Sequence, residues 1–459
     1  MKTTLLSISR PSKGGRLRFY PLRAFSYRRF WPSIFQIATV LGLVLVLYFA
    51  FFGTIRPARN FATVVTWTLW WPLLPWSFLF LGRAWCAICP LGAIGSKAQE
   101  LGARLGLAAG RQPGAWLKRY GVWLMVFTFA ALAWVDRTFS IIGSPRATGV
   151  LLLILMAGTV LMSLLYRQRA WCRYLCPLGA LSGIYATTAA VELRADKAIC
   201  QTCRTKACYA SCPLYEFPQT MDSNRNCNLC GNCLKSCQRG AIALALRPPG
   251  QELWLFRHPL VAESALAVLM VALVYLQTID MTLPWGDYMK AVVENTPLVG
   301  YNAAFTATFG AIIALGLGSY LVAAWVSGRL SGVGLATIFA RFGYAYIPLA
   351  LSGHLGHNFS HLLLEGPRAI QVALNQLGIP ISLVPEALTD APPDFSTVTV
   401  LTIMVLAIGI GASAYVLWRI VRREGRAAIT AWPHFALLGF FSLAYLVMFL
   451  LPMNPRHGH

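Results

Sequence analysis

The chain has 459 residues, of which 57% are hydrophobic and only 12% are charged, and its formal net charge is +23. A mean hydropathy of +0.59 excludes an ordinary soluble globular domain. Basic residues are scattered over short segments between apolar stretches and form no domain-sized basic face. The positive charge therefore predicts anchoring to anionic membrane lipid, and it argues against nucleic-acid binding.

The N-terminal residues 1–30 form a basic arm that is too polar to be a helix in lipid. After it come nine stretches that are long and apolar enough to cross a bilayer, which takes about 20 residues each. They lie near residues 33–54, 61–81, 119–135, 148–166, 260–279, 302–325, 342–363, 397–418 and 432–451. We therefore predict an all-α polytopic membrane protein with about nine transmembrane helices.

The distribution of Lys and Arg predicts the orientation of these spans. Counted from a cytoplasmic arm, the segments on the same side are 82–118, 167–259, 326–341 and 419–431, and all are basic. The opposite segments, 280–301 and 364–396, are acidic. This asymmetry predicts a multi-pass protein of the bacterial inner (cytoplasmic) membrane, with its N-terminus and segment 167–259 in the cytoplasm.

A cysteine motif is repeated at the inner ends of the second and fourth spans. RAWCAICPLGA (83–93) is echoed by RAWCRYLCPLGA (169–180), and the proline in each copy predicts a turn at the membrane surface. Such duplication indicates two helix pairs related by an internal repeat. The candidate ligands of a four-thiolate site between them are Cys86, Cys89, Cys172 and Cys176. Soft thiolates suit iron–sulfur, zinc or cuprous copper; the alternative is buried cysteines that only shape a turn.

Eight of the twelve cysteines lie in the run 200–237, in two groups of four. Their spacing matches the bacterial two-cluster ferredoxin pattern, in which the fourth cysteine of each group binds the other cluster. The pattern assigns one [4Fe–4S] cluster to Cys200, Cys203, Cys208 and Cys237, and a second to Cys227, Cys230, Cys233 and Cys212. Zinc is the alternative, but zinc motifs usually place a longer spacer between two cysteine pairs. The run predicts one-electron transfer in a small inserted α+β ferredoxin-like domain.

The seventh predicted span carries His354, His357 and His361, whose spacing puts them on one helical face. Histidines inside a span are costly and are functional candidates by default. Three interpretations stay open: hydrogen bonds between helices, ligation of haem, copper or zinc, and quinone binding with a histidine as proton acceptor. Gly353 and Gly356 would let a flat ring or a neighbouring helix approach closely.

Other ionisable residues limit these alternatives. His258 and His434 begin spans on the inner side, so neither reaches the outer histidines, and a haem held by two histidines of this chain is disfavoured. Glu263 lies near the inner end of the fifth span, where it could carry protons or pair with an arginine.

The sequence divides into four predicted domains. They are a basic cytoplasmic arm (1–30), a four-helix membrane unit with two Cys-Pro motifs (31–190), a double-cubane ferredoxin domain (191–250) and a five-helix membrane unit with the histidine-bearing helix (258–452). The sequence RPPG at 247–250 indicates a linker, and the outer segment 364–396 contains a predicted amphipathic stretch near 367–377.

Residues from about 30 to 245 resemble the membrane-bound polyferredoxins of the NapH and NosR type. The resemblance rests on four spans, the twin Trp-Cys…Cys-Pro-Leu-Gly-Ala motifs and the run of eight cysteines. It departs from the family pattern in that two residues, not three, separate Cys86 from Cys89. It covers about half of the chain and none of the five later spans. It implies electron transfer linked to the quinol pool and serving a respiratory reductase on the outer side.

We therefore predict an electron-transfer subunit resembling a quinol dehydrogenase. It would relay single electrons between the quinone pool and a periplasmic or membrane redox partner through [4Fe–4S] clusters. The alternative is a metal reductase or assembly factor that reduces, for example, copper for an outer-face metalloenzyme. A transporter is disfavoured, because few charges lie deep in the spans.

Overall fold

A computed structural model describes residues 17–18, 26, 28, 30–256, 258–296, 300–388 and 392–452. Within these residues, nine helices are long and apolar enough to cross a membrane. All nine coincide with the predicted spans, so the prediction of a polytopic helical protein is confirmed at this level. Most of the predicted arm 1–30 lies outside the described residues.

The N-terminal half contains four membrane helices and four shorter ones. In chain order they are α1 (Ser33–Phe52), α2 (Phe61–Leu81), α3 (Ala84–Ile88), α4 (Pro90–Arg104), α5 (Ala115–Phe139), α6 (Pro145–Leu165), α7 (Ala170–Tyr174) and α8 (Pro177–Ala186). Helix α2 includes a π-helical stretch, Val64–Trp70. The short helices α3 and α7 carry the two copies of the cysteine motif.

The cysteine-rich segment contains short helices and a small antiparallel sheet. Its elements are β1 (Leu17–Arg18), β2 (Val191–Ala195), α9 (Lys197–Gln201), α10 (Ala207–Ala210), α11 (Asn232–Ser236), β3 (Ile242–Leu246) and α12 (Gln251–Leu255). The strand order is β1-β3-β2, and Leu246 faces both Leu17 and Val191. The predicted α+β domain is therefore present in part, with a smaller sheet than a full α+β fold.

The C-terminal half contains five membrane spans and two amphipathic helices. Its helices are α13 (Val261–Ile279), α14 (Leu283–Asn295), α15 (Gly300–Ser331), α16 (Leu335–Phe342), α17 (Ile347–Ser360), α18 (Gly366–Gln376), α19 (Phe395–Arg423) and α20 (Trp432–Leu450). A π-helical turn, His361–Glu365, joins α17 to α18. Helix α18 confirms the predicted amphipathic stretch.

The contacts divide the chain into two compact units that are discontinuous in sequence. The first takes its described residues from Met1–Leu45, Trp76–Met125 and Val150–Arg257, and the second from Val46–Pro75, Val126–Gly149 and His258–His459. Each of the first four membrane helices contributes to both units. The four domain boundaries given above follow chain order and stay a prediction.

A buried ion pair holds the cysteine-rich segment of the first unit against the end of α8. The guanidinium of Arg247 donates to the carbonyls of Ala189 (2.8 Å), Ala186 (3.1 Å) and Thr187 (3.1 Å), which a helix terminus would leave unsatisfied. Arg247 also pairs with Glu252, whose carboxylate accepts the Asn224 N–H at 2.9 Å. Paired and hydrogen-bonded charges of this kind are tolerated in a protein interior.

Glycines bring the helices of the second unit into close contact around α17. A Cβ at Gly353 would lie 2.2 Å from the ring of Tyr445 on α20, and one at Gly356 would lie 2.9 Å from Thr402 on α19. Of the two predicted neighbours of these glycines, a flat ring or another helix, the structure has helices, as small residues allow in membrane bundles. Likewise, Gly409 of α19 packs on Ser352 of α17.

We expect Gly409→Ala to destabilise the second unit, because its Cβ would lie 1.9 Å from Ser352 Oγ and 2.9 Å from the Pro348 carbonyl oxygen. Overpacking of this kind costs about 1–3 kcal/mol. Gly411→Ala, two residues along α19, is the matched control, because nothing lies within 4 Å of its Cβ position. Thermal unfolding in detergent should separate the two variants, and equal midpoints would contradict this packing.

Candidate iron–sulfur and histidine sites

Both copies of the cysteine motif place a cysteine at the start of a helix. Cys89 and Cys176 precede α4 and α8 as N-cap residues, and a proline follows each at the first helical turn. The Gly179 N–H donates to the backbone carbonyl of Cys176 at 2.8 Å. The predicted turn is present, but the prolines begin the next helix instead of ending the membrane span.

The two copies accommodate their different cysteine spacing at one position. The extra residue, Leu175, lies at the end of α7, and the N–H groups of Leu175 and Cys176 both donate to the Trp171 carbonyl at 2.9 Å. The shorter first copy passes directly from α3 to Cys89. The insertion is therefore absorbed before the second cysteine, and both prolines still begin a helix.

The two copies are joined by an exchange of arginine contacts. Arg83 of the first copy donates to the Cys172 carbonyl of the second copy at 3.3 Å. Arg169 of the second copy donates to the Cys86 carbonyl of the first copy at 2.9 Å, and to Ser96 at 3.1 Å. Both side chains are buried, with 2% and 8% exposure. Each arginine thus braces the cysteine-bearing turn of the other copy.

The glycine of each Cys-Pro-Leu-Gly sequence leaves room for the exchanged arginine. A Cβ at Gly92 would lie 2.8 Å from Nη1 of Arg169. A Cβ at Gly179 would lie 2.7 Å from the Cys172 carbonyl oxygen and 3.4 Å from Nη2 of Arg83. The glycines therefore serve the contact between the copies as well as the helix start.

The four motif cysteines form one buried group. Burial, with the nearby Cys172 and Cys86, raises the pKa of Cys89 to about 12. Burial also raises the pKa of Cys176 well above its ordinary value, and the other three motif cysteines raise it further. Buried thiols such as those of Cys89 and Cys176 stay protonated unless a cation compensates the thiolate charge, as bound metal does. The structure thus brings together the four predicted ligands.

The ferredoxin cysteines line two separate cavities. A small cavity of about 20 Å³ has Cys212, Cys227, Cys230 and Cys233 among its lining residues. A second cavity of about 20 Å³ has Cys200, Cys203, Cys208 and Cys237 among its lining residues. These groupings are the two ligand sets that the ferredoxin pattern gives, including the exchange of Cys212 and Cys237 between the runs.

Backbone N–H groups point at the sulfurs of both cavities. The sulfurs of Cys212, Cys227 and Cys230 accept hydrogen bonds from the residues two positions later. Leu229 and Gly231 have φ values of 53° and 77°, which turn the loop around the sulfurs. Burial nevertheless raises the pKa of Cys227 to about 12. The N–H donors favour the thiolate form, and the remaining cost of burial fits a site that holds iron.

The motif arginines also contact the loops that carry the second ferredoxin set. Arg83 Nη1 donates to the Arg225 carbonyl at 2.8 Å, two residues before Cys227. The N–H of Arg169 donates to the Pro213 carbonyl at 2.9 Å, next to Cys212. The charge of Arg169 acts to lower the pKa of Cys230, although burial raises it overall. Arg83 and Arg169 therefore connect the segments of the motif cysteines to the loops of this ferredoxin set.

None of these groups has the geometry of a single-ion site. Among the described residues, no three His, Cys, Asp or Glu side chains could hold one metal ion together. A tetrahedral zinc ion draws its thiolates to about 2.3 Å. The thiols as they stand are therefore not gathered around a single zinc or copper ion.

The histidines of the second unit occupy different surroundings along α17. The ring of His354 lies 5.8 Å from that of Trp71, and His357 Nδ1 lies 3.0 Å from Thr278 Oγ1. His361 Nδ1 lies 3.2 Å from Glu365 Oε1, and the rings of His357 and His361 are 5.1 Å apart. The predicted shared face is therefore present for His357 and His361, which are in ring contact.

Two of the other ionisable groups pair with tyrosines. Glu263 accepts a hydrogen bond from Tyr344, and His434 Nδ1 lies 3.2 Å from the hydroxyl of Tyr346. Sequence reasoning considered an arginine partner for Glu263 and did not foresee this tyrosine. It also overlooked Arg83, Arg169 and Glu365. The repetition of Arg-Ala-Trp before each cysteine pair, and the four-residue spacing from His361 to Glu365, were the available signals.

We expect Arg83→Lys and Arg169→Lys to loosen the contact between the two motif copies, because an ammonium cannot make the two directed contacts of either guanidinium. A buried carbonyl left without its donor costs about 1–3 kcal/mol. In metal-stripped protein, Cys86, Cys89, Cys172 and Cys176 should react faster with iodoacetamide than in the wild type. Arg104→Lys, on the exposed face of α4, should leave the rates unchanged. Unchanged alkylation in the first two variants would contradict the brace.

Comparison with known proteins bears on the same segments. Residues 63–106 and 148–188 match a family model described as a 4Fe-4S binding domain. The two matched segments contain the two copies of the cysteine motif. No solved structure shows a significant match.

Several curated proteins are similar to the N-terminal part of the chain. A ferredoxin-type protein NapH from Haemophilus influenzae is 24% identical, over 35% of this chain and 61% of its own length. A methylamine utilization ferredoxin-type protein MauN from Paracoccus denitrificans is 28% identical, over 29% and 48%. A putative electron transport protein YccM from Escherichia coli is 29% identical, over 37% and 53%.

The matched region covers only part of this chain and only part of each relative. The chain spans about half to two thirds of the length of these relatives, and they cover little more than a third of it. Within that region the predicted resemblance is confirmed: the chain is similar to the membrane-bound, ferredoxin-type iron–sulfur proteins of the NapH type.

Proposed function

We propose that the chain is an electron-transfer protein of the bacterial inner membrane, which relays single electrons between the quinone pool and a respiratory redox partner. The observation that carries the proposal is the arginine exchange, in which Arg83 and Arg169 join the two motif copies and also contact the loops of Cys227 and Cys212. Three groups of four thiols thereby lie in one unit.

The proposed ligand sets are the two ferredoxin sets and the four motif cysteines. The first two are supported by their separate cavities, and the third by burial and by the match to a 4Fe-4S binding domain. A [4Fe–4S] cluster takes up and releases one electron at a time between thiolate ligands. The residues of this chain bury the sulfurs, direct N–H groups at them and supply the positive charges of Arg83 and Arg169.

The contacts of Arg83 and Arg169 also suggest an order in which electrons pass between the three groups of cysteines. The motif site shares its arginine contacts with the set of Cys212 and Cys227. The Cys212 set in turn lies next to the Cys200 set. Cys208 of the Cys200 set is close enough to Cys233 of the Cys212 set to raise its pKa. The hydroxyls of Ser211 and Ser236, which precede Cys212 and Cys237, lie 2.9 Å apart. We propose electron movement from the motif site through the Cys212 set to the Cys200 set, or the reverse along the same path.

The proposal also covers the orientation of the chain, its redox partner and the role of the second unit. The positive-inside asymmetry supports a cytoplasmic ferredoxin domain. The partner would be a periplasmic or membrane redox protein, and the histidine-bearing second unit would contribute a haem, metal or quinone site.

The number of clusters is tested by iron analysis of anaerobically purified protein. We expect about twelve iron atoms per chain, and about eight in a Cys89→Ala/Cys176→Ala variant with the two ferredoxin clusters intact. Cys227→Ala should instead disturb a ferredoxin cluster, so the two variants should differ in their electron paramagnetic resonance spectra. Iron-free protein, or copper or zinc in the thiol sites, would contradict the proposal, and copper would favour the assembly-factor alternative.

The link to the quinone pool is tested by mixing oxidised protein with a short-chain quinol under anaerobic conditions. The visible iron–sulfur absorption should bleach, or fully reduced protein should reduce the corresponding quinone, because the same residues serve both directions. Bleaching by dithionite alone, with no exchange with quinol or quinone, would show that another carrier is the partner.

A further inference from the structure

The two ferredoxin cavities of the first unit differ in their access to the surface. Of the described residues that line the cavity of the Cys200 set, three are exposed: Ile199, Lys206 and Arg239. Every described residue that lines the cavity of the Cys212 set is buried or half-buried. Of the two ferredoxin sets, the Cys200 set is therefore the one within reach of a molecule in the adjoining water.

The surface around the Cys200 set is positively charged. Residues 196–210 and 237–241 contain one acidic residue and four basic residues, and the basic ones are Lys197, Arg204, Lys206 and Arg239. All four basic residues are exposed. The acidic residue, Asp196, caps helix α9, where its carboxylate accepts the N–H groups of Ala198 and Ile199 at 3.0 and 3.4 Å. Positive charge is thus in excess on this surface.

Two of these charges are positioned at the cavity by their own contacts. Arg239 Nη1 donates to Thr202 Oγ1 at 2.9 Å. Lys206 Nζ lies 6.0 Å from the ring centroid of Phe217, which lines the same cavity, a distance at which a cation is attracted to an aromatic ring. The positive charge is therefore concentrated beside the cysteines of the Cys200 set.

Apolar side chains are exposed between the basic ones. Ile199 is 38% exposed and Tyr209 is 50% exposed. The rings of Tyr209 and Phe217 are 5.5 Å apart, so Tyr209 also lies near the cavity wall. Protein interfaces commonly combine an apolar centre, in which tyrosine is enriched, with a polar and charged rim. The surface has both parts.

We propose that this surface, formed by Ile199, Tyr209 and the four basic residues around the Cys200 set, is the docking site of a small, acidic, water-soluble one-electron carrier protein. The inference rests on the cluster proposed for the Cys200 set. It goes beyond the proposed function, which has only the quinone pool and a periplasmic or membrane protein as partners. The carrier loses one electron as the cluster gains one, or the reverse, and no bond forms or breaks.

Charge complementarity selects this class of partner. A basic surface speeds the encounter with an acidic protein, and salt screens the attraction over about 8–10 Å. Redox encounters use small interfaces, below about 1,200 Å² in total, so a surface of this limited extent suffices. Anionic lipid would be attracted by the same charges. The opening of a cysteine-lined cavity among the basic residues is the observation that favours a redox carrier over lipid.

The docking is tested first by binding, with both proteins oxidised so that no electron passes. The probe is a plant-type [2Fe–2S] ferredoxin, chosen for its negative charge, and its control is the same ferredoxin with amidated surface carboxylates. The whole cluster-loaded chain in nanodiscs of neutral lipid should bind the native ferredoxin and not the amidated one. Raising the salt concentration from about 10 mM to about 150 mM should weaken the binding at least about tenfold.

Removing the charges beside the cavity should weaken the docking. Lys206→Gln/Arg239→Gln should raise the dissociation constant at least about tenfold at low salt, because two attractive charges are lost. Stopped-flow electron exchange with the ferredoxin, followed in the downhill direction, should slow by a similar factor. Arg204→Gln removes a charge that does not line the cavity and should have a smaller effect in the same direction.

The matched control is Lys97→Gln/Lys118→Gln, which removes the same number of charges from exposed lysines of α4 and α5. It should bind the ferredoxin and exchange electrons with it as the wild type does. Iron content and the electron paramagnetic resonance spectrum of each variant check that the clusters are retained.

The proposal is overturned if binding does not depend on salt, if the double variant at Lys206 and Arg239 binds as tightly as the wild type, or if amidated ferredoxin binds equally well. It is also overturned if that variant changes only the affinity for phosphatidylglycerol vesicles, because the basic residues would then serve anionic lipid. Protein without iron at the Cys200 set would refute the proposed cluster. Iron-loaded protein that does not bind ferredoxin would refute only the docking site.

Discussion

The buried guanidinium of Arg83 is the contact on which the first unit depends. It is 2% exposed and donates to two carbonyls, one beside Cys227 in the ferredoxin segment and one at Cys172 in the second motif. A buried charge destabilises the fold unless it is paired or hydrogen-bonded. The two carbonyls belong to two segments other than that of Arg83, so this side chain joins three segments of the chain. Arg169 of the other copy also contacts two segments, the Cys86 carbonyl through its guanidinium and the Pro213 carbonyl through its backbone N–H.

This exchange explains why the repeated motif contains the residues that it does. The cysteine before the proline caps a helix, and the proline fixes the first turn. The glycine two residues after the proline leaves the space that the opposite arginine occupies. The cysteine and the proline thus serve the start of a helix, and the glycine serves the contact with the other copy. A single copy could meet only the first of these, which is a physical reason for the duplication.

Sequence periodicity and spacing predicted the nine spans and the two ferredoxin ligand sets, because both are short-range properties of the chain. They did not predict the arginine exchange, since a contact between residues 83 and 172 depends on how two helix ends pack. The same limit applies to α17. Its spacing placed the histidines on one face, whereas Thr278, Glu365 and the π-helical turn came only from the tertiary structure. Gly353 and Gly356 predicted the close approach of a flat ring or a neighbouring helix, and only the tertiary structure shows that helices α19 and α20 approach there, through Thr402 and Tyr445.

The two units handle buried ionisable groups in opposite ways, and this difference separates their chemistry. In the first unit, fixed arginine charges and backbone N–H groups surround the sulfurs, so the polar environment does not have to move when an electron arrives or leaves. In the second unit, the histidines have a hydroxyl and a carboxylate as partners, and both can exchange hydrogen with an imidazole. The fixed charges and backbone donors of the first unit therefore support the one-electron relay proposed for its cysteine sets.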